Sequence, residues 1–280
     1  MLTRLAPTPS GYIHSGNIYN FLINWLWAKK YNGKVMLRID DADGERKRKE
    51  YVEDIFRVLG WLGLDWDIGP TGPDDFEKNW SQQNRKGLYE KILNELAGKD
   101  LLFACNCNRK QVCNCQQKNL PLDTTGTAWK IKISDETNVI VPGKGQGTAS
   151  VNIETPFVVK KKDGFASYQI CSLADDRQYG ITHIARGEDL LASTAMQLYI
   201  DKQLGKQYLK DCVFWHHALI LNNEGSKLSK STEAMGSSMA GSIKKEILFA
   251  AFSKWMGISC NSEITLEETA WLFNIYLQQQ

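Results

Sequence analysis

Arg4-Leu5-Ala6-Pro7-Thr8-Pro9-Ser10-Gly11-Tyr12-Ile13-His14-Ser15-Gly16-Asn17 is the stretch that decides the fold. Residues 2–6 read as a short strand, and Pro7, Pro9 and Gly11 then turn the chain tightly. From Ser15 the apolar residues Ile18, Phe21, Leu22, Trp25 and Leu26 fall at helical spacing. Gly33 ends that helix, and Lys34–Ile39 reads as a second strand. Strand, helix, strand in so short a span predicts a βαβ unit and a parallel sheet. The start of its helix offers unpaired N–H groups and the positive end of a dipole, which suit phosphate. His14 stands at that point, and Gly16 lets a flat ligand group approach without meeting a Cβ.

Outward from this unit, Asp40-Asp41-Ala42-Asp43 follows the second strand at its C-terminal end, where α/β sheets place ligands. A second helix is predicted over Arg46–Leu62, with Val52, Ile55, Phe56, Leu59 and Leu62 inward, and a third over Asn84–Leu96. Gly69-Pro70 and Gly72-Pro73 mark the loop between them. The texture then changes to alternating Trp129-Lys130-Ile131-Lys132-Ile133, a Gly-rich turn near Pro142–Gly147, and Phe157-Val158-Val159. That stretch reads as a β-containing insertion. After Tyr168 the α/β pattern returns, with a strand predicted at Ile181–Ile184, a helix at Leu190–Leu204 and an apolar β-like run at Val213–Leu221. Lys227-Leu228-Ser229-Lys230-Ser231 follows, then small residues at Met235–Gly241 and two closing helices. Thr265-Leu266-Glu267-Glu268 is a capping box that opens the second of them.

A chain of 280 residues, 42% hydrophobic and 24% charged, holds one large or two modest domains of ordinary enzyme composition. It has no run of eighteen apolar residues and no signal-peptide pattern, so a cytoplasmic protein with no membrane partner is expected. A net charge of +2 does not by itself point to nucleic acid. The densest basic runs, Arg46–Lys49 and Lys160–Lys162, have solvated faces as their ordinary reading. Cys105, Cys107, Cys113 and Cys115 lie within eleven residues, which favours a metal over disulfides in a reducing compartment. Four thiolates close a tetrahedral structural zinc site at about 2.3 Å per sulfur and leave no open position for catalysis. A cluster of reduced thiols is the alternative.

Two segments can act on one triphosphate. His14 donates to the α- or β-phosphate, and Lys227 and Lys230 offer ammonium groups to the charge that develops as pyrophosphate leaves. Read together, they point to cleavage of ATP between its α- and β-phosphates.

On these residues the chain resembles a class I aminoacyl-tRNA synthetase, His14-Ser15-Gly16-Asn17 matching the HIGH motif and Lys227–Ser231 the KMSKS motif. Longer stretches resemble the glutamyl branch: Arg4–Asn17, Arg38-Ile39-Asp40-Asp41-Ala42-Asp43, Ser81-Gln82-Gln83 with Tyr89, Ala166-Ser167-Tyr168, and Arg186-Gly187-Glu188-Asp189-Leu190. They occur in the family's order across residues 3–232. The resemblance implies an α/β, Rossmann-type catalytic domain in two halves, 1–77 and 166–222. It also implies an inserted zinc subdomain at 78–165 and a short helical segment with the lysine loop at 223–280. It implies ATP with Mg²⁺ at Pro7, Ser10, Gly11, His14, Gly16, Asn17, Lys227, Leu228, Ser229 and Lys230, of which His14, Lys227 and Lys230 are catalytic. Glutamate is expected at Arg4, Ala6, Thr8, Asp40, Tyr168 and Arg186. Where Asp40 stands the family usually carries Glu, so the carboxylate that reads the substrate's amino group is retracted by about 1.5 Å. Zinc is expected at Cys105, Cys107, Cys113 and Cys115, although the family pattern is Cys-x-Cys followed by a more distant Tyr and Cys.

A full glutamate–tRNA ligase carries a large helical anticodon-binding region after KMSKS, and here 49 residues follow Ser231. The chain is therefore most similar to the shorter glutamyl-queuosine tRNA(Asp) synthetases. This implies a monomer that attaches glutamate to queuosine in the anticodon of tRNA(Asp). The alternatives are a glutamate–tRNA ligase charging the 3′ end of tRNA(Glu), a ligase of glutamate to a small molecule or carrier, and a non-catalytic, zinc-stabilised tRNA-binding module.

Overall fold

Leu2–Leu5 (β1) and Lys34–Leu37 (β2) pair in parallel, with Leu2 opposite Lys34 and Leu5 opposite Leu37. Ser15–Lys30 (α1) connects them, as the apolar spacing predicts. The computed structural model describes residues 1–107, 114–118, 120–133, 138–143, 147–220 and 237–279. In chain order, β2 is followed by Lys49–Leu62 (α2), the short turn Pro73–Asp75 (α3), Lys86–Gly98 (α4), Leu102–Cys105 (β3) and the turn Cys115–Lys118 (α5). Next come Ala128–Ile131 (β4), Asn138–Pro142 (β5), Thr148–Asn152 (β6), Val158–Lys160 (β7) and Tyr168–Gln178 (α6). The chain ends with His183–Gly187 (β8), Leu191–Gln203 (α7), Val213–His217 (β9), Lys245–Trp255 (α8) and Leu266–Gln278 (α9).

These elements form two units. The first comprises Met1–Ser81, Ile181–Glu188 and Trp215–Gln280. Its core gathers the apolar side of α1 (Ile18, Leu22, Leu26, Trp27), β1 and β2 (Leu5, Val35, Leu37), and α2 (Val52, Ile55, Leu59) with Phe249, Phe252 and Phe273. Burial of that apolar surface is the main force holding the unit. The ladder between β1 and β2 runs past the strand ends: Arg38 N–H donates to Leu5 O (2.9 Å) and Asp40 N–H to Pro7 O (2.8 Å). A third extended segment lies along β2, where Leu37 N–H donates to Ile68 O at 2.8 Å. Gly69 follows with φ +131°, and a Cβ there would stand 2.4 Å from Leu37 O, so glycine is required.

The second unit comprises Gln82–Gly180 and Asp189–Phe214. It holds an antiparallel sheet of order β3-β4-β7 and a β5–β6 hairpin in register from Asn138 opposite Asn152 to Pro142 opposite Thr148. The hairpin's strands are only five residues each and flank the Gly-rich turn, which alone stands out in the sequence. At its centre Asp175 of α6, fully buried, accepts from Arg85 Nε (2.9 Å), Arg85 Nη2 (2.9 Å), Gln82 Nε2 (2.9 Å) and Tyr89 Oη (3.0 Å).

Some boundaries differ from the sequence reading. α2 begins at Lys49 rather than Arg46, because Asp43–Lys47 first makes a turn with Arg46 N–H on Asp43 O and Lys47 N–H on Gly44 O. β8 begins at His183 rather than Ile181. The closing capping box is formed as expected: Glu268 N–H donates to Thr265 Oγ1 and Thr265 N–H to Glu268 Oε2.

Candidate active site

The turn from β1 into α1 ends on His14, whose extended backbone (φ −116°, ψ 171°) makes it the N-cap of the helix. Its Nδ1 accepts the Gly16 N–H at 3.1 Å, and its own N–H donates to Asn17 Oδ1 at 3.3 Å. An Nδ1 that accepts leaves the ring proton on Nε2. Gly16 is tied to the same geometry. A Cβ there would stand 2.9 Å from His14 Cε1 and 3.0 Å from Nδ1, so a side chain would displace the imidazole. The reason for glycine visible here is the histidine cap; the sequence had suggested room for a ligand.

The approach to His14 is fastened by a residue the sequence reading passed over. Ile13 N–H donates to Asp54 Oδ2 at 2.9 Å, and Asp54 is fully buried on the inner face of α2. A carboxylate in line with Val52, Ile55 and Val58 was its signal, since a buried acid on an apolar face needs a partner. Upstream, Pro7 and Pro9 are buried, whereas Thr8 is exposed and Ala6, Ser10 and Gly11 are intermediate. Ser10 N–H donates to Thr8 O at 2.9 Å, closing the turn.

At the C-terminal edge of β2, Arg38 and Asp40 form a buried two-point ion pair, Nε to Oδ1 at 2.7 Å and Nη2 to Oδ2 at 3.0 Å. The carboxylate of Asp40 is thus oriented by its strand neighbour two residues away, on the same face. The adjacent Asp41 turns elsewhere: its Oδ2 accepts from Ser81 Oγ (2.6 Å) and Lys47 Nζ (3.1 Å), and Lys47 also reaches Glu77 at 2.7 Å. Burial opposes the charge on Lys47, but the bonds to Glu77 and Asp41 outweigh it and raise its pKa. Asp41 and Ser81 stand forty residues apart in the sequence, and this contact joins the two motif stretches that contain them.

Arg4 of β1 and Arg186 of β8 are both buried. Arg4 Nη1 donates to Ala185 O at 3.3 Å, which brings the two arginines to neighbouring positions. Asn24 of α1 fixes that junction, accepting from Thr3 Oγ1 (2.6 Å) and donating to Ala185 O (3.2 Å). Asn20 of α1 donates to His217 Nε2 at 3.1 Å, so His217 carries its proton on Nδ1 and donates it to Ala218 O at 2.9 Å. Neither asparagine stood out in the sequence, because isolated amides on a helix are common.

The first unit therefore gathers Arg4, Ala6–Asn17, Asp40 and Arg186. Tyr168 lies in the second unit as the first residue of α6. Lys227, Leu228, Ser229 and Lys230 lie outside the described residues. The cysteine cluster is also in the second unit: the sulfurs of Cys105, Cys107 and Cys115 lie within 4.8 Å of one another. Cys107 and Cys115 are 3.3 Å apart, a thiol contact too long for a disulfide. Tetrahedral zinc with Zn–S of about 2.3 Å needs sulfurs about 3.8 Å apart, so these three donors fit such an ion with little movement. Cys113 lies outside the described residues.

Comparison with known proteins follows the same lines. A glutamate–tRNA ligase of Natranaerobius thermophilus is 30% identical, covering 97% of this chain and 61% of the relative. A glutamyl-Q tRNA(Asp) synthetase of Cupriavidus metallidurans is 33% identical, covering 82% of this chain and 77% of the relative. Among solved structures, a glutamate–tRNA synthetase from Elizabethkingia anophelis superposes with a TM-score of 0.78 over 96% of this chain and 65% of that one, at 24% identity, a likeness of fold. The chain thus spans 61% of the Natranaerobius ligase and 49% of a second such ligase, from Thermosipho melanesiensis. The family model for tRNA synthetases class I (E and Q), catalytic domain, matches residues 1–142 and 130–241, and the chain belongs to that family.

Proposed function

We propose that this chain activates glutamate with ATP and transfers it to queuosine in the anticodon of tRNA(Asp). The observation that carries the activation step is His14. It caps α1 at the end of the β1 turn with Nδ1 occupied by Gly16 N–H, so that Nε2–H serves the phosphates of ATP. Pro7, Ser10, Gly11, Gly16 and Asn17 form the rest of that nucleotide cradle. Lys227 and Lys230, with Leu228 and Ser229 between them, bind the same nucleotide and neutralise the leaving pyrophosphate. Mg²⁺ supplies further neutralisation of the triphosphate when bound.

Arg4 and Arg186 take the side-chain carboxylate of glutamate, a task that suits a guanidinium. Asp40, held by Arg38, takes the amino group, and Ala6 and Thr8 line the same substrate. The α-carboxylate attacks the α-phosphorus in line and pyrophosphate leaves. A hydroxyl of the RNA then attacks the acyl carbon of glutamyl-adenylate, and AMP leaves. Cys105, Cys107, Cys113 and Cys115 hold a structural zinc in the inserted subdomain, residues 78–165, between the catalytic halves 1–77 and 166–222.

The choice of acceptor is supported by the Cupriavidus relative, a glutamyl-Q tRNA(Asp) synthetase matched over 77% of its length. A second reading, aminoacylation of tRNA(Glu), is supported by the Natranaerobius ligase, which matches 97% of this chain. Acylation assays with labelled glutamate on three RNAs separate them: tRNA(Asp) with queuosine, tRNA(Asp) without it, and tRNA(Glu). The expected result is labelling of the first alone. Charging of tRNA(Glu) with none of tRNA(Asp) overturns the queuosine reading and establishes the second.

A further inference from the structure

We infer that His216 is a third group of the pocket for the substrate's side-chain carboxylate, beside Arg4 and Arg186. This rests on the glutamate reading above and extends it to a residue that no motif contains.

The argument begins with strand geometry. Side chains alternate between the two faces of a strand, so contacts made by one set place the other. Helix α1 occupies one face. Its Asn24 bonds Thr3 of β1, its Trp27 packs edge-on against His183 of β8 (5.0 Å) and Trp215 of β9 (5.5 Å), and its Asn20 bonds His217 of β9. Thr3, His183, Trp215 and His217 therefore point toward α1. Arg4, Arg186 and His216, each one residue or an odd number of residues removed from these, point to the opposite face. β8 and β9 are hydrogen-bonded neighbours, and Thr182 N–H on Leu2 O (2.9 Å) ties the start of β8 to β1. The three side chains thus share one face on neighbouring strands.

The electrostatics agree with that placement. Burial first, then the charges of Arg186, His217 and Arg4, hold the His216 pKa down at about 4. His216 is therefore neutral at physiological pH. Two guanidiniums supply the charge that a carboxylate needs, and a third buried cation would only add self-repulsion and desolvation cost. A neutral imidazole instead contributes one N–H donor without charge. Arg4 and Arg186 are buried while His216 remains partly exposed, so the histidine is the member of the three that meets an incoming substrate.

The test is glutamate-dependent ATP–pyrophosphate exchange by the full chain, comparing the parent with His216→Ala and His216→Gln. Loss of one neutral hydrogen bond predicts a KM for glutamate raised about tenfold in His216→Ala, with the KM for ATP within about twofold of the parent. Glutamine keeps a neutral N–H donor near the Nε2 position and restores the KM for glutamate. An unchanged KM for glutamate in His216→Ala overturns the inference. So does a parallel rise in both KM values, or failure of glutamine to restore binding, since either marks a structural role. A parent that gives no exchange with glutamate overturns the glutamate reading itself, and the inference with it.

Discussion

Buried charge is handled in opposite ways around Asp175 of the second unit and on the face of the first unit that carries Arg4 and Arg186. In the second, Asp175 is ringed by Arg85, Tyr89 and Gln82, and each donor reaches a carboxylate oxygen within 3.0 Å. Charge and hydrogen bonds close on themselves there. Arg85 is held more firmly protonated by Asp175 against the opposing effect of burial, and burial with the Asp175 charge pushes the Tyr89 hydroxyl up. In the first unit, the face carrying His216 also carries the two guanidiniums of Arg4 and Arg186, and after burial their charges help hold the His216 pKa down. A closed pair leaves no charge over and is costly to split, whereas a concentration of one sign waits for a ligand of the other.

Breaking the closed network should produce the largest change. Asp175→Asn leaves the Arg85 guanidinium buried without its counter-charge, a loss of about 3–5 kcal/mol by the usual cost of splitting a buried pair. Urea denaturation measures it, and a loss below about 1 kcal/mol would show that Asp175 is not the keystone of its unit. Arg186→Met should do less to stability and more to substrate. A charged hydrogen bond of about 1.5–3 kcal/mol predicts a KM for glutamate roughly 10- to 100-fold higher, read by pyrophosphate exchange. If instead Arg186→Met unfolds the chain as readily as Asp175→Asn, the contrast between the units fails.

The smallest effect is a pH dependence of stability. The unfolded chain protonates His216 near its ordinary 6.5, while the folded chain resists until about 4. Over that window the unfolded state binds more protons, so stability falls as pH falls from about 6.5 to about 4. Partial exposure to solvent keeps the effect modest. Comparing melting temperatures of the parent and His216→Gln between pH 7 and pH 4 isolates it, and parallel curves would remove His216 as its source.

Much of the site was legible because its residues sit in short, ordered motifs. His14, Gly16 and Asn17 could be placed at a helix start from the strand–turn–helix pattern, and the parallel pairing of β1 with β2 followed from the length of their connection. Asn20, Asn24 and His216 were not legible. Each acts through a partner on another element, and a single polar residue among apolar neighbours carries no pattern of its own. The β5–β6 hairpin escaped because its strands are short: Asn138–Pro142 runs apolar without alternating, and the alternation of Thr148–Asn152 spans only five residues.

The sequence by itself determined the strand–turn–helix start of the fold, the closing capping box and membership of the family, because periodicity and local motifs encode short-range geometry. Tertiary structure alone decided which tautomer His14 adopts, that Asp40 is steered by Arg38 while Asp41 holds Ser81, and that His216 shares a face with Arg4 and Arg186. These depend on strand register and on donors from distant segments, which no local pattern records.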